Sequence, residues 1–176
     1  GNPAVTSERA LHLSAGGERE ISPGWTVTTG VFYKKLDNLV IRSNRRLERN
    51  GVWVAENYNN QGIGRIHGLE LQQKWNLQPW TLIGAYTYSQ SFRQSPGEPE
   101  FPTAQDQTHN LNLMASYESQ KWLFSGRGRY VTGSPFTPVE SGVMDADNDV
   151  FVPIRGPLFS GRKPHFAQVD LRIDRK

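Results

Sequence analysis

Apolar and polar residues alternate with a period of two over segments of about ten residues, and this alternation limits what the chain can fold into. The clearest segment is 80–89. One of its faces carries Trp80, Leu82, Gly84, Tyr86 and Tyr88, and the other carries Thr81, Ile83, Ala85, Thr87 and Ser89. A helix has a period of 3.6 and would mix these two sets, whereas a β-strand keeps them apart. The segment therefore predicts a strand whose two faces meet different surroundings.

The same alternation occurs seven times along the chain, and glycines and β-branched residues disfavour helix throughout. We therefore predict an all-β fold of seven antiparallel strands, at 10–19, 25–34, 63–75, 80–89, 110–117, 122–131 and 165–174.

The connections between these segments alternate in length. Short polar turns are expected at 22–24, 76–79 and 118–121, and long connections rich in Gly, Pro, Asn and Asp at 36–60, 90–108 and 132–164. Short turns on one rim and long loops on the other are typical of an up-and-down transmembrane β-barrel. The mean hydropathy is −0.62 and the sequence has no apolar run of about 18 residues, which excludes a helical membrane protein.

Aromatic residues recur at a spacing of eight in three predicted strands, as Trp25 with Tyr33, Trp80 with Tyr88, and Trp122 with Tyr130. Eight residues of a tilted strand cover roughly 20 Å, close to the apolar band of a barrel that aromatic girdles border. Trp and Tyr favour such interfaces because one end of the ring is apolar and the other is polar. We predict a membrane-interface girdle of Trp25, Tyr33, Trp75, Trp80, Tyr88, Tyr117, Trp122 and Tyr130.

A soluble β-protein that binds carbohydrate through exposed aromatics is the alternative. The faces opposite the aromatic ones carry Thr, Ser, Asn, Gln, Glu, Arg and Asp, which fits a watery lumen better than a second packed sheet. Arg19, Lys35, Arg65 and Gln73 lie on or near the apolar faces and are expected close to the rims, where charge costs little.

The basic residues are spread along the chain, with a net charge of +3, so no nucleic-acid partner is predicted. One local cluster lies in the first long connection, as Arg42, Arg45, Arg46 and Arg49 with Trp53 and Tyr58. Guanidinium groups pair with phosphate and carboxylate, so this cluster is a candidate site for an anionic ligand or for lipopolysaccharide phosphates. An ordinary solvated loop is the competing interpretation.

Sequence signals for catalysis or metal binding are weak. The chain has no cysteine, no P-loop, no nucleophile elbow and no paired zinc motif. Asp106 with His109 has no nucleophile positioned beside it, and Asp145, Asp147 and Asp149 lack the glycine and the distal glutamate of an EF-hand. We expect no enzyme activity, cofactor or metal, and interpret 145–149 as a solvated acidic loop.

Several motifs resemble those of TonB-dependent outer-membrane receptors. Residues 57–62 (NYNNQG), continuing through Gly68-Leu69-Glu70-Leu71, are similar to a strand of that family, and Asn2-Pro3 with Ser7-Glu8-Arg9 is similar to the segment that opens another. The runs 106–113 (DQTHNLNL), 130–138 (YVTGSPFTP) and 161–172 (GRKPHFAQVDLR) resemble strands in the later part of the same barrels. The resemblance covers about residues 2–174.

This resemblance implies a barrel of 22 strands in the bacterial outer membrane, closed by a plug whose TonB box couples uptake to the proton gradient. Ligands of the family are ferric siderophores, haem, cobalamin or oligosaccharides, and its other partners are outer-membrane lipid, lipopolysaccharide and TonB. Residues 1–176 are then one partial barrel domain, with a plug and further strands expected outside them, because seven strands cannot close a bacterial barrel. A porin-like barrel without a plug remains the alternative.

Overall fold

The computed structural model describes residues 5–176, with the side chains of Asn44 and Arg49 left out. The described chain contains twelve β-strands. They are β1 (Arg9–Ser22), β2 (Trp25–Arg49), β3 (Val52–Leu77), β4 (Trp80–Gln94), β5 (Phe101–Pro102), β6 (His109–Glu118), β7 (Trp122–Val131), β8 (Pro135–Phe136), β9 (Val139–Asp145), β10 (Val150–Arg155), β11 (Gly161–Arg162) and β12 (Phe166–Arg175).

One sheet contains all seven predicted strands. Its order is β1-β2-β3-β4-β6-β7-β12, every pairing is antiparallel, and β5 adds a short pairing to β4. Neighbours in the sheet are neighbours in the chain apart from the short strands of the connections, so the prediction of an up-and-down antiparallel arrangement is confirmed. Within the described residues β1 and β12 each have one partner strand, and the sheet is open.

The first long connection, residues 36–60, was predicted to be a loop, but it forms a β-hairpin. Strands β2 and β3 continue far beyond the predicted ends and pair as far as Arg49 with Val52. Asn50 and Gly51 close the hairpin with φ values of 52° and 76°, the backbone that a type I′ turn requires and that Asn-Gly favours. The register shifts three times between Leu36 and Arg46, and each shift breaks the period of two. The strands are therefore present where the alternation is absent.

The third long connection also contains strands. Strands β9 and β10 form a hairpin of their own, and β8 pairs with β11 at its base. These short ladders fall within the stretch 132–164, which was predicted as a long polar loop.

Register across the sheet places the predicted apolar faces on one side. Val31 pairs with Leu69 and Leu69 with Tyr88, and farther along the sheet Leu113 pairs with Gly128 and Gly128 with Val169. Directly paired residues of antiparallel strands share a face, so this apolar face is continuous from β1 to β12.

No second layer covers the apolar face within the described residues. Leu113 is 50% exposed, Val169 is 75% exposed and Leu171 is 83% exposed, whereas the only buried hydrophobic residues described are Leu39 and Val131. The sheet therefore has no packed core on that side, contrary to what a soluble sandwich requires.

The opposite face is polar. One row of paired residues crosses it through Glu18, Thr28, Gln72, Ala85, Asn112, Arg129 and Gln168. Most side chains in this row are polar or charged. A polar lining of this kind is typical of the interior of an outer-membrane barrel.

Two of the charged residues near the apolar face, Arg65 and Lys35, have local ion-pair partners. Arg65 donates to Glu100 from Nε and Nη2 at 2.8 and 2.7 Å and lies over the ring of Phe92 at 5.3 Å. Lys35 lies 3.2 Å from Asp37. Both pairs lie toward the end of the sheet where the long connections emerge, which agrees with the expectation that such charges stay near a rim.

No helix in the described chain is long and apolar enough to cross a membrane.

Candidate functional site

The second and third long connections are joined at a buried carboxylate. Asp106 is 3% exposed and accepts hydrogen bonds from the Ser91 amide at 2.8 Å and from the Thr108 hydroxyl at 3.2 Å, together with an ion pair from Arg162. The same guanidinium donates to the carbonyl oxygens of Asp106 and Gly133. We call Asp106 and Arg162 the connection clasp, because it ties the segment after β4 to the segment after β7.

The clasp lies beside a cleft of about 410 Å³ on the polar face, at the end of the sheet where the long connections emerge. Side chains from β2, from β3 and β4 and from the second and third long connections form its wall. They are Leu39, Ile41, Arg42, Ile63, Arg93, Gln94, Ser95, Phe101, Thr103, Ala104, Gln105, Leu158 and Phe159.

The floor of the cleft forms because two glycines of β3 leave room for apolar side chains. A Cβ added at Gly64 would lie 3.2 Å from Leu39 Cδ1, and one at Gly62 would lie 3.1 Å from Leu39 Cβ. Leu39 therefore rests directly on the sheet and is 3% exposed. A larger residue at either glycine would displace it.

Two arginines are the charged residues of the cleft wall. Arg42 comes from β2 and Arg93 from β4, where Arg93 continues the polar phase of Thr87 and Ser91. Both are exposed, and neither guanidinium forms an ion pair or a side-chain hydrogen bond within the described residues. Since the wall also contains no carboxylate, the cleft has a local positive charge without an ion-pair partner among the described residues.

Phe159 has an uncommon backbone in the cleft wall. Its φ is 53°, in the left-handed region that a bulky residue rarely adopts. Its amide donates to the Thr137 hydroxyl at 3.1 Å, and its ring stacks on Phe101 with the centroids 6.0 Å apart. These contacts hold an aromatic pair in place at the junction of two connections.

The arginine cluster predicted from the sequence is distributed along the β2–β3 hairpin and not along a loop. Arg42 lines the cleft and pairs in the ladder with Tyr58, whereas Arg46 and Trp53 are exposed farther along the hairpin, with Trp53 at 63%. The positive charge of Arg45 lowers the pKa of the nearby Glu56 carboxyl. The side chain of Arg49 lies outside the described residues.

Glu56 of the same hairpin has a lowered pKa. The main cause is the hydrogen bond from the Ser43 hydroxyl, followed by the bond from Asn59 Nδ2 at 2.9 Å, and the positive charge of Arg45 adds to both. Glu56 is therefore held by hydrogen bonds within the hairpin, and the charge of Arg45 is the smallest of the three effects that lower its pKa.

The predicted girdle residues share the apolar face. Trp25 pairs with Trp75 at the short-turn end of the sheet, and Trp80 pairs with Tyr117, their rings 4.8 Å apart. Toward the other end each tyrosine lies beside a histidine, as Tyr33 with His67, Tyr88 with His109, and Tyr130 with His165 just before β12. Trp122, the first residue of β7, is in phase with Tyr130. Their place at a lipid interface stays a prediction.

Asp106 and His109 do not act on each other. Asp106 is bound by Arg162, and His109 Nδ1 lies 2.8 Å from the Tyr86 hydroxyl on the apolar face. The pKa of Asp145 is lowered mainly by the hydrogen bond from Asn148 Nδ2 at 2.9 Å, and next by the bond from the Asp147 amide at 3.1 Å. No group of three His, Asp or Glu side chains is placed to hold a metal ion in the part of the chain that the structure describes.

Sequence reasoning missed Arg93, Phe101 and Phe159 as cleft residues. Arg93 had a signal, because the alternation of β4 continues in phase through Ser91 to Arg93 beyond the predicted end at residue 89. Phe101 and Phe159 had none, because they meet only through pairings between distant connections.

Comparison with known proteins agrees with the geometry of the sheet. A family model described as TonB dependent receptor-like, beta-barrel matches residues 1–175. Among solved structures, the F3-3 variant of the FrpB iron transporter from Neisseria meningitidis matches with a TM-score of 0.60 and 16% identity, over 98% of this chain and 25% of that chain. No curated protein matches the sequence.

An open antiparallel sheet with one apolar face, one polar face and connections that alternate in length defines a transmembrane β-barrel wall. The chain belongs to the TonB-dependent receptor β-barrel family. It spans about a quarter of the length of the transporter it matches, and at 16% identity that likeness shows the fold alone. The family consists of outer-membrane receptors and transporters of bacteria and is not a class of enzymes.

Proposed function

We propose that this chain forms part of the wall and of the ligand vestibule of an outer-membrane transporter that takes up a scarce small molecule. Residues 1–176 contribute one partial barrel domain. Uptake is coupled through a plug and a TonB box, which lie outside these residues, to TonB and the inner-membrane proton gradient. The ligand belongs to the family's range of ferric siderophores, haem, cobalamin or oligosaccharides.

The observation that carries this proposal is the amphipathic sheet. Seven strands keep their apolar residues on one uncovered face and their polar residues on the other. The pairing register between neighbouring strands keeps each face continuous across the sheet. Hydrocarbon stabilises such a face, whereas water would destabilise it by about 25 cal/mol for each Å² of apolar surface exposed. The family membership supports transport in preference to a purely structural barrel.

Uptake measurements in cells test the proposal. Cells that make the intact protein are compared with cells that lack it, using radiolabelled ferric siderophores, haem, cobalamin and oligosaccharides. We expect accumulation of one ligand class that disappears when TonB is deleted and when a protonophore removes the gradient. Passive entry of many small solutes without TonB would instead support the porin-like alternative and contradict energy-coupled import.

The proposed transporter also contacts outer-membrane lipid and lipopolysaccharide. Outer-membrane lipid contacts the apolar face, and the aromatic residues at its two ends lie at the interfaces. Lipopolysaccharide meets the side of the sheet that carries the girdle, whereas Arg93, which pairs with Gly64 on the polar face, faces the interior of the barrel.

A further inference from the structure

We propose that a groove on the apolar face holds one anionic phospholipid of the periplasmic leaflet, with its phosphate at Arg19 and one acyl chain on a floor of glycines. This inference rests on the proposed function, because it requires the apolar face to lie in an outer membrane. It goes beyond that function by naming one class of lipid and the residues that select it.

Of the four polar residues that the sequence places near the apolar face, two have no partner in the described chain. Arg65 and Lys35 are ion-paired. The side chains of Arg19 and Gln73, in contrast, form no ion pair or hydrogen bond within the described residues. They lie in one row of the sheet, since Arg19 pairs with Val27 and Val27 with Gln73. Hydrocarbon offers neither a counter-ion nor a hydrogen bond, so a polar group from outside the chain is expected beside them.

The row continues into a groove of about 670 Å³ on the apolar face. Gln73 pairs with Gly84, and Gly126 and Gly128 of β7 extend the floor, because none of these glycines has a side chain to fill it. Apart from Gln73, the residues of this face that line the groove are glycine or apolar. A groove of this lining suits an acyl chain and offers nothing to a polar solute.

The stagger of the strands makes the groove run inward from the short-turn end of the sheet. Trp25 and Trp75, which pair at that end, border the groove, and Trp25 is the first residue of β2. The floor lies farther from the turns, since Gly84 is the fifth residue of β4 and Gly128 is the seventh of β7. At about 3.3 Å for each residue, Gly128 lies roughly 20 Å along its strand from the turn. The groove therefore leads from the membrane interface toward the centre of the hydrocarbon.

The order of side chains along the groove matches the order of groups in a phospholipid. Arg19 is a diagonal neighbour of Trp25 across the β1–β2 pair, within reach of a long side chain. A guanidinium beside an indole N–H suits a phosphate, since both donate hydrogen bonds. Gln73 comes next along the groove and donates to an ester carbonyl, which lies just below the phosphate in a phospholipid. The glycine floor then takes the acyl chain.

The charge around Arg19 selects an anionic headgroup. Its chain neighbours Glu18 and Glu20 lie on the opposite, polar face, and both carboxylates accept hydrogen bonds from the chain. The ammonium of a zwitterionic headgroup would therefore find no carboxylate beside Arg19 on the apolar face. Phosphatidylglycerol has only its phosphate charge and fits this environment. Short turns mark the periplasmic side of an outer-membrane barrel, where the leaflet consists of phospholipid and not of lipopolysaccharide.

Native mass spectrometry of the intact protein, released from detergent micelles that contain added lipid, tests the proposal. The probes are phosphatidylglycerol and phosphatidylethanolamine with identical acyl chains. We expect one phosphatidylglycerol to bind at least about 5-fold more tightly than phosphatidylethanolamine. Equal binding of the two lipids would overturn the assignment of an anionic lipid.

Variants assign the lipid to the groove. Arg19→Gln should weaken phosphatidylglycerol binding by about 10-fold or more and remove the preference between the two lipids, because a charged hydrogen bond is lost. Gly128→Val should weaken both lipids and keep the preference, because it fills the floor and leaves the headgroup site intact. Valine is compatible with the fold there, since an added Cβ would lie 4.0 Å from Leu113 Cβ and β-branched residues favour strands.

Arg175→Gln is the matched control for the arginine variant. Arg175 pairs with Trp122 at the short-turn end of the same face and lies outside the groove, so this variant should bind both lipids like the unaltered protein. Unchanged phosphatidylglycerol binding in Arg19→Gln or in Gly128→Val would overturn the proposal. An equal loss in Arg175→Gln would also overturn it, because any arginine near the headgroups would then have the same effect.

The cellular uptake assay separates this proposal from the transport function. An intact protein that shows no TonB-dependent uptake but binds phosphatidylglycerol through Arg19 would refute the transport function alone. TonB-dependent uptake together with lipid binding that does not depend on Arg19 would refute the lipid site alone.

Discussion

Individual residues in this chain show how a sheet without a packed core can still hold precise local structure. Asp106 is almost completely buried, although most of the described chain is exposed or half-buried. Burying a carboxylate is costly unless it is paired and hydrogen-bonded, and Asp106 has both an ion pair and two donors besides. Polar networks of this kind replace hydrophobic packing where the connections meet.

The clasp should respond strongly to loss of one partner. Arg162→Gln leaves the Asp106 carboxylate buried without its charge partner, and we expect a cost of roughly 2–4 kcal/mol to the docking of the two connections. Limited proteolysis of intact cells should then cut within 90–108 much faster than in the unaltered protein. Lys35→Gln removes an exposed pair with Asp37 and should leave the cleavage rate unchanged, since such pairs contribute little. Equal cleavage of both variants would show that the clasp does not fix the connections.

Glu56 should make the β2–β3 hairpin sensitive to acid. Its pKa is lowered in the folded state, so its stabilising effect is fully present above the usual glutamate pKa and is lost as the pH falls through the lowered value. Protection factors of the amides at residues 43 and 59, which are exchange rates corrected for the intrinsic effect of pH, should therefore be constant near neutrality and fall below the usual pKa of a glutamate. Glu56→Gln should have lower protection factors near neutrality and show no such fall. A fall of the same size in the variant would refute the role of this carboxylate.

Among the strands, β6 allows a direct comparison of the same substitution on the apolar and on the polar face of the sheet. Leu113 and Asn112 are neighbours in sequence and lie on opposite faces of the sheet. Leu113→Arg places a charge on the apolar face and should cost about 2–4 kcal/mol near the membrane midplane, whereas Asn112→Arg on the polar face should cost little. The fraction of barrel that resists heat unfolding on gels measures both. Equal loss in the two variants would contradict the assignment of the faces.

Alternation in the sequence predicts the strands that have two unlike surroundings and fails where both faces meet water. The seven long strands of the sheet were predicted, because an apolar and a polar face impose the period of two, whereas the two-residue strand β5 was not. Residues 36–60 carry polar side chains on both faces and three register shifts, so their pairing was invisible. Asn50-Gly51 is a sequence signal for a hairpin turn, but the flanking residues lack the regular alternation that would have predicted the two strands.

The cleft could be predicted only in part, for a related reason. Arg42 stood out as one of four clustered arginines, but nothing in the sequence separates it from Arg46, which lies outside the cleft. What separates them is the placement of β2 against β4 and against the connection that carries Phe159. Such long-range pairings depend on the whole fold and leave no local pattern.

For the whole molecule, assignment to a membrane depends on whether hydrocarbon covers the apolar face of the sheet. The chain lacks cysteine, so single cysteines can be placed along β6 at 110 to 116 in the intact protein and labelled with a nitroxide in bilayers. Collision rates with oxygen, which concentrates in hydrocarbon, and with a water-soluble nickel chelate are then measured at each position. We expect high oxygen accessibility at 111, 113 and 115, with a maximum at every second residue. Nickel accessibility should be low at those positions, and a maximum of nickel accessibility at 111, 113 and 115 would contradict the membrane assignment.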